Sequence, residues 1–95
     1  MAKMTATEIS KVEERIALAT KYGWITEVDL MHHEATVGSP FAELDFKVKR
    51  AVALDLAVLG MWRAGETQFE LNLVDGKTNK RVGHYSTEWG GLTIE

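Results

Sequence analysis

Adjacent histidines are the first residues of this sequence whose types suit chemistry. His32-His33-Glu34 combines two imidazoles and a carboxylate, which are side chains that ligate transition metals. On a helix, however, neighbouring residues point about 100° apart, whereas two ligands on one face are four residues apart. Asp29 and His33 have that spacing, and folding could bring His84 to them. Histidines at a solvated helix end are the simpler interpretation, so we predict no bound metal and no cofactor.

A glycine-lysine-threonine triplet is the second candidate. Gly76-Lys77-Thr78 has the last residues of a phosphate-binding P-loop. A P-loop also requires a glycine five residues before Gly76, where this chain has Leu71, and a lysine that opens a helix. The triplet instead falls at the tip of a predicted hairpin, so we interpret it as a plain turn.

Asp55 is the third candidate, because it is the only charged residue between Arg50 and Arg63. Helical projection places it among apolar side chains, where an unpaired carboxylate is costly. We favour a structural pairing with an arginine, a histidine or a backbone amide. Contact with a partner and a raised pKa for acid–base work are the alternatives. The serines lack the glycines of a nucleophile elbow, so we predict that the protein is not an enzyme.

Basic and aromatic residues near the C-terminus form the best candidate binding surface. Lys80, Arg81, His84, Tyr85 and Trp89 combine positive charge with residue types that dominate binding energies at protein interfaces. We predict that they contact a partner protein. The alternative is that the aromatic rings stack on nucleic-acid bases or a nucleotide. A formal net charge of −3 makes a weak track for phosphates, so nucleic acid is not favoured.

Composition limits the class of protein. The chain has 95 residues, of which 45% are hydrophobic and 26% charged, and it has no cysteine. These values predict one small domain spanning 1–95, without disulfides or thiolate metal sites. No run approaches the roughly 20 apolar residues of a membrane span, and the first residues lack the pattern of a signal peptide. We therefore expect a soluble cytoplasmic protein with no membrane partner.

Helices are the first elements that must position these residues. Thr5-Ala6-Thr7-Glu8 has the form of a capping box, and apolar residues follow at helical spacing. We predict a helix over about 7–22, ended by Gly23. Residues 26–35 begin with a cap and acidic residues and alternate poorly, so a short second helix fits better than a strand.

A long apolar segment begins at residue 40. Ser39-Pro40 is typical of a helix start, and we predict a helix over 40–64, although 41–49 also has the alternation of a strand. At the usual rise this helix would be about 37 Å long, and it is apolar on nearly every side. We expect that one small chain cannot cover it and that a homodimer does. The predicted dimer interface consists of Val52, Leu56, Leu59 and Trp62.

The last third of the chain changes to the periodicity of strands. Alternation over 67–74, turn residues and a second run over 80–87 predict an antiparallel β-hairpin, with a short C-terminal strand as a further option. The predicted fold class is α+β, with two or three helices followed by the hairpin. Small size and the lack of catalytic motifs favour a non-catalytic interaction domain. We expect a small accessory or inhibitor protein that binds another protein and is a homodimer.

Overall fold

The computed structural model describes residues 5–88 and 91–95, and it has two helices on one face of a five-stranded sheet. The helices and strands in chain order are α1 (Ala6–Lys21), β1 (Ile25–Asp29), β2 (Glu34–Val37), α2 (Phe46–Ala64), β3 (Glu70–Asp75), β4 (Arg81–Ser86) and β5 (Gly91–Ile94). Short 3₁₀ helices precede β2 (Leu30–His32) and α2 (Ser39–Glu43). The predicted α+β class is confirmed, with a larger sheet than the hairpin alone.

Helix α1 forms as its sequence predicts. Thr5 caps it, because the Thr5 hydroxyl accepts a hydrogen bond from the Glu8 amide at 3.2 Å. The apolar stripe is directed inward, with Ile9 and Val12 buried. Gly23 follows the helix with a φ of 77°, a left-handed conformation that suits glycine and turns the chain toward β1.

The predicted helix over 26–35 does not form, because this segment contains β1, a 3₁₀ turn and β2. Asp29 ends β1, and its carboxylate accepts a hydrogen bond from the His32 amide at 3.2 Å, which closes the turn. His33 then takes a left-handed conformation with a φ of 56°. The register of β1 shifts after Ile25, which is its one buried residue. This bulge and the turn explain why the segment lacks the alternation of a strand.

The predicted helix over 40–64 is shorter than expected, because α2 begins at Phe46. Pro40 starts a 3₁₀ helix instead, and Leu44 and Asp45 then have extended backbone angles (ψ 150°). The ambiguous stretch 41–49 is therefore a short 3₁₀ helix, two extended residues and the first turn of α2. With 19 residues α2 is about 28 Å long.

The strands lie in the order β1-β2-β3-β4-β5. Neighbours are antiparallel except β2 and β3, which are parallel and joined through α2. A parallel pair needs such a long crossover connection. The predicted hairpin corresponds to β3 and β4, where Leu71 lies opposite Tyr85. The short C-terminal strand is β5, which pairs with β4.

The core lies between the helices and the inner face of the sheet. Ala53, Leu56 and Ala57 of α2 have no exposed surface, because the sheet covers one side of this helix and α1 covers another. The inner sheet face contributes further fully buried side chains, which are Leu71 and Leu73. This chain therefore covers most of α2 by itself, contrary to the expectation that a second copy is needed for that purpose.

An ion pair joins the two helices. Arg15 Nε and Nη2 each donate a hydrogen bond to a carboxylate oxygen of Asp55, both at 2.9 Å. The predicted pairing of Asp55 with an arginine is confirmed. Further along, Arg63 lies 4.0 Å from Glu13. The earlier of the two α1 residues thus contacts the later of the two α2 residues, and Ile9 and Val12 cluster with Leu59, so the helices run antiparallel.

We expect the Arg15–Asp55 pair to contribute modestly to stability. In a double-mutant cycle of Arg15→Ala and Asp55→Ala, the coupling in the free energy of unfolding should be about 0.5–1 kcal/mol, because the pair is bidentate but partly solvated. The Arg15 side chain is 56% exposed, which limits its contribution. Chemical denaturation of the four proteins measures the coupling, and purely additive effects would contradict this interpretation.

Gly60 sets how closely α2 approaches the sheet. A Cβ atom at this position would lie 2.5–2.8 Å from the ring of Phe69, which is itself buried. An alanine helps a free helix by about 1 kcal/mol relative to glycine, but overpacking a rigid core costs about 1–3 kcal/mol. We therefore expect Gly60→Ala to lower the free energy of unfolding. Thermal denaturation tests this, and the added change Phe69→Leu should restore part of the loss.

Candidate functional site

The predicted hairpin surface is divided between the two faces of the sheet. Tyr85 is buried (3% exposed) against the helices, opposite Leu71, whereas His84 and Arg81 are on the outer face. Lys80 precedes β4 at the end of the turn. Trp89 lies outside the described residues. The four predicted residues that the structure describes therefore do not form one continuous surface. Binding by the exposed ones remains a prediction.

Acidic and basic side chains on the outer sheet face neutralise one another. Arg81 donates hydrogen bonds from Nε and Nη2 to the Glu95 carboxylate at 2.7 and 2.6 Å. Asn72 Oδ1 lies 3.0 Å from His84 Nδ1, and Glu70 Oε1 lies 3.4 Å from His84 Nε2. The basic groups of this face thus have carboxylate or amide partners within the sheet. Such a face offers little free positive charge to phosphates.

The glycine-lysine-threonine triplet lies in a turn, as predicted. Asp75 Oδ2 accepts hydrogen bonds from the Thr78 amide at 3.1 Å and the Thr78 hydroxyl at 2.8 Å. The hydroxyl bond is the main reason that the pKa of Asp75 is lowered. Gly76 donates its amide to the Val37 carbonyl at 3.0 Å. Since that amide is already paired and no helix follows, the triplet is not a phosphate cradle.

His33 is held in one orientation by its backbone and its ring. Its Nδ1–H donates to the Glu70 carbonyl at 2.7 Å, and the ring stacks on Phe69 at 4.1 Å between centroids. A cavity of about 210 Å³ lies beside it, and Glu66, Glu70 and Glu88 are among the residues that line it. Among residues 5–88 and 91–95, no three His, Asp or Glu side chains are placed to hold a metal ion.

The outer side of the two helices carries a set of exposed apolar side chains. We call these residues the helix face: Leu18 (48% exposed) and Tyr22 (56%) on α1, and Leu54 (42%) and Trp62 (46%) on α2. Leu18 and Tyr22 follow Arg15 at three and seven residues, so they share its side of α1. Leu54 and Trp62 belong to a stripe of α2 with three- and four-residue spacing, which consists of Lys47, Ala51, Leu54, Val58 and Trp62.

The residues predicted at a dimer interface are divided by the fold. Val52, Leu56 and Leu59 are buried in the core of this chain, where they contact α1 or the sheet. Trp62 is the one of the four that is exposed. The structure therefore leaves Trp62 accessible to another molecule and places the other three out of reach. Sequence reasoning missed Leu18 and Tyr22, although a helical projection puts both away from the buried stripe of α1.

Charges are separated along the two helices. The end formed by the first half of α1 and the end of α2 has four carboxylates and two cations, which are Glu8, Glu13, Glu14, Glu66, Lys11 and Arg63. The opposite end has four cations and two carboxylates, which are Lys21, Lys47, Lys49, Arg50, Glu43 and Asp45. Each end thus has an excess of one sign, although the whole chain is only weakly acidic.

Comparison of this chain with models of known families, with curated proteins and with solved structures found no match. Within the described part of the chain, no helix has the length and apolar character to cross a membrane. The surfaces described above are therefore the observations from which a function must be argued.

The ion pair on the outer sheet face should be visible in a pH titration. Hydrogen bonds from Arg81, together with its charge, lower the pKa of Glu95. Because this folded-state pKa is lower than the unfolded one, the pair stabilises the fold above the unfolded pKa. That contribution is lost as pH falls through the folded pKa. We expect Arg81→Ala to raise the pKa of Glu95 in an NMR titration. Lys80→Ala should leave the pKa of Glu95 unchanged. An unchanged value in Arg81→Ala would contradict the pairing.

Proposed function

We propose that this protein is a non-catalytic interaction domain that binds protein through its helix face. The observation that supports this proposal is the exposure of Leu18, Tyr22, Leu54 and Trp62 on one side of the molecule. Clustered exposed apolar side chains on a small domain are typical of an interaction site. Tyrosine and tryptophan are also the residue types that most often dominate the energy of protein interfaces.

The contrast with the opposite side of the molecule supports the same proposal. The outer sheet face consists largely of polar side chains that already bond to one another, such as Arg81 with Glu95 and His84 with Asn72. A partner at that face would have to break these bonds or match them. At the helix face a partner removes apolar surface from water, which is favourable by about 25 cal/mol per Å².

A small accessory or inhibitor protein is the class that this proposal fits, since such proteins act by occupying a surface of another molecule. We propose a cytoplasmic location, because a chain without cysteine needs no oxidising compartment. No catalytic step is part of the proposal.

Affinity capture tests the helix face directly. The wild-type protein is immobilised and exposed to a lysate of the cells that produce it, and bound proteins are quantified. We expect the double variant Leu54→Ala/Trp62→Ala to lose at least about tenfold of any specifically bound protein, because truncating an interface anchor costs about 1–4 kcal/mol. Circular dichroism should remain unchanged, since both side chains are partly exposed.

Met31 provides the matched control for this experiment. It is 87% exposed in the turn between β1 and β2, so Met31→Ala removes apolar surface that does not belong to the helix face. We expect this variant to capture the same proteins as the wild type. Equal recovery by the helix-face variant and the control would contradict the proposal.

A further inference from the structure

We propose that the helix face packs against the helix face of a second copy of this chain. This inference rests on the proposed function and names its partner. The two-fold axis lies in the plane of the interface and runs perpendicular to the helices. As a result α2 of one copy packs on α2 of the other and α1 packs on α1, and each of these pairs is antiparallel. Such an interface is self-complementary, as a two-fold dimer requires.

The charge distribution selects this axis. Because α1 and α2 are antiparallel within the chain, the excess carboxylates lie at one end of the helix pair and the excess cations at the other. An axis perpendicular to the helices places the acidic end of one copy over the basic end of the other. An axis parallel to the helices would place like ends together, which costs free energy.

The stripe of α2 is complementary to itself about the same axis. Asp55 is at the midpoint of α2, so its neighbour Leu54 lies next to the axis and contacts Leu54 of the second copy. Lys47 and Trp62 are almost equally far from this midpoint, eight and seven residues away. The antiparallel arrangement therefore places Lys47 of each copy on the Trp62 ring of the other, a favourable cation–π geometry.

The ends of α1 match in the same way. With Arg15 beside Asp55, the axis crosses α1 near residue 15. Glu8 and Lys21 lie on opposite sides of that point, seven and six residues away. Glu8 of each copy then lies at the same end of the dimer as Lys21 of the other, so opposite charges attract across that end. The symmetry of the dimer repeats this arrangement at its other end.

The size of the helix face predicts a weak, reversible dimer. Two adjacent helices, about 24 Å and 28 Å long and about 10 Å wide, present on the order of 500 Å². This is below the ~800 Å² per partner of a standard interface. We therefore expect dissociation in the micromolar range, which sedimentation velocity between about 5 and 500 μM resolves.

A single introduced cysteine tests the position of the axis, because the chain has none of its own. In Leu54→Cys the two thiols lie beside the axis, where facing helices bring Cα atoms within the reach of a disulfide. We expect mild oxidation to convert most of this variant to a covalent dimer. Met31→Cys is the control, since Met31 is more exposed but does not belong to the helix face. Equal crosslinking of both variants would overturn the proposal.

Charge exchange tests whether the acidic end of one copy lies over the basic end of the other. Lys21→Glu alone and Glu8→Lys alone should each weaken the dimer about two- to tenfold, because like charges then lie at the same end of the dimer twice. A mixture of the two variants restores both opposite-charge pairs, so it should form a heterodimer near wild-type affinity. Lys77→Glu makes the same charge change at the hairpin turn and should leave dimerisation unchanged. Circular dichroism checks the fold of Glu8→Lys, since Glu8 belongs to the capping box.

The outcomes separate this proposal from the general one. A wild-type protein that remains monomeric at 500 μM overturns the dimer, whereas loss of captured protein by Leu54→Ala/Trp62→Ala would still support protein binding. If the helix-face and charge variants dimerise with the same affinity as the wild type, the proposed interface is wrong. If the mixture of Lys21→Glu and Glu8→Lys does not restore association, the proposed alignment of the two copies is wrong.

Discussion

The contact of α2 with the sheet at Gly60 is the constraint on which the rest of this structure depends. The Phe69 ring lies where a side chain at Gly60 would be, and the His33 ring stacks on Phe69. Three segments distant in sequence are thereby fixed together: the C-terminal part of the crossover helix, the residue before β3 and the turn before β2. With one side of α2 held on the sheet and a second side held by α1, the stripe containing Leu54 and Trp62 is left to face outward.

Charge is organised differently on the two sides of the molecule. On the outer sheet face, opposite charges pair locally, as Arg81 does with Glu95, so the field of that face is weak at a distance. On the helices, carboxylates and cations gather at opposite ends, and only Arg15 and Asp55 meet in the middle. A net charge of −3 for the whole chain hides this separation. Composition therefore gives nucleic acid little support as a partner and says nothing about an interface that uses opposite ends.

Periodicity predicted the elements that have ordinary geometry. Helix α1, the β3–β4 hairpin and β5 follow from capping, alternation and turn residues that act over a few positions. The segment 26–35 was misread because a bulge and a 3₁₀ turn interrupt its strands, and the edge position of β1 leaves one buried residue to reveal it. The start of α2 was misplaced because Ser39-Pro40 also suits a 3₁₀ helix, and the choice depends on tertiary contacts.

The candidate site could be predicted only in part, for a related reason. Adjacent residues of a strand point to opposite faces, so His84 and Tyr85 could have been separated from the sequence alone. The ion pair of Arg81 with Glu95 could not be predicted from the sequence, since it depends on β5 pairing with β4 in one register. Leu18 and Tyr22 lie off the buried stripe of α1, which shows that they are exposed but not that α1 packs beside α2. That packing joins two helices separated by the whole β1–β2 unit.

The apolar character of α2 is greater than this chain alone requires. A helix on a two-layer domain has one side on the sheet, one side against its neighbour and a remainder in water, and the remainder is normally polar. In α2 the exposed residues include the apolar Ala51, Leu54 and Trp62 among the cations Lys47, Arg50 and Arg63, while Val58 is half-buried against the core. The sequence thus has apolar residues for three covered sides, whereas the fold covers two. In the dimer that we propose, a second antiparallel copy would supply the third side without changing the core, because each α2 would lie between its own sheet, its own α1 and the α2 of its partner.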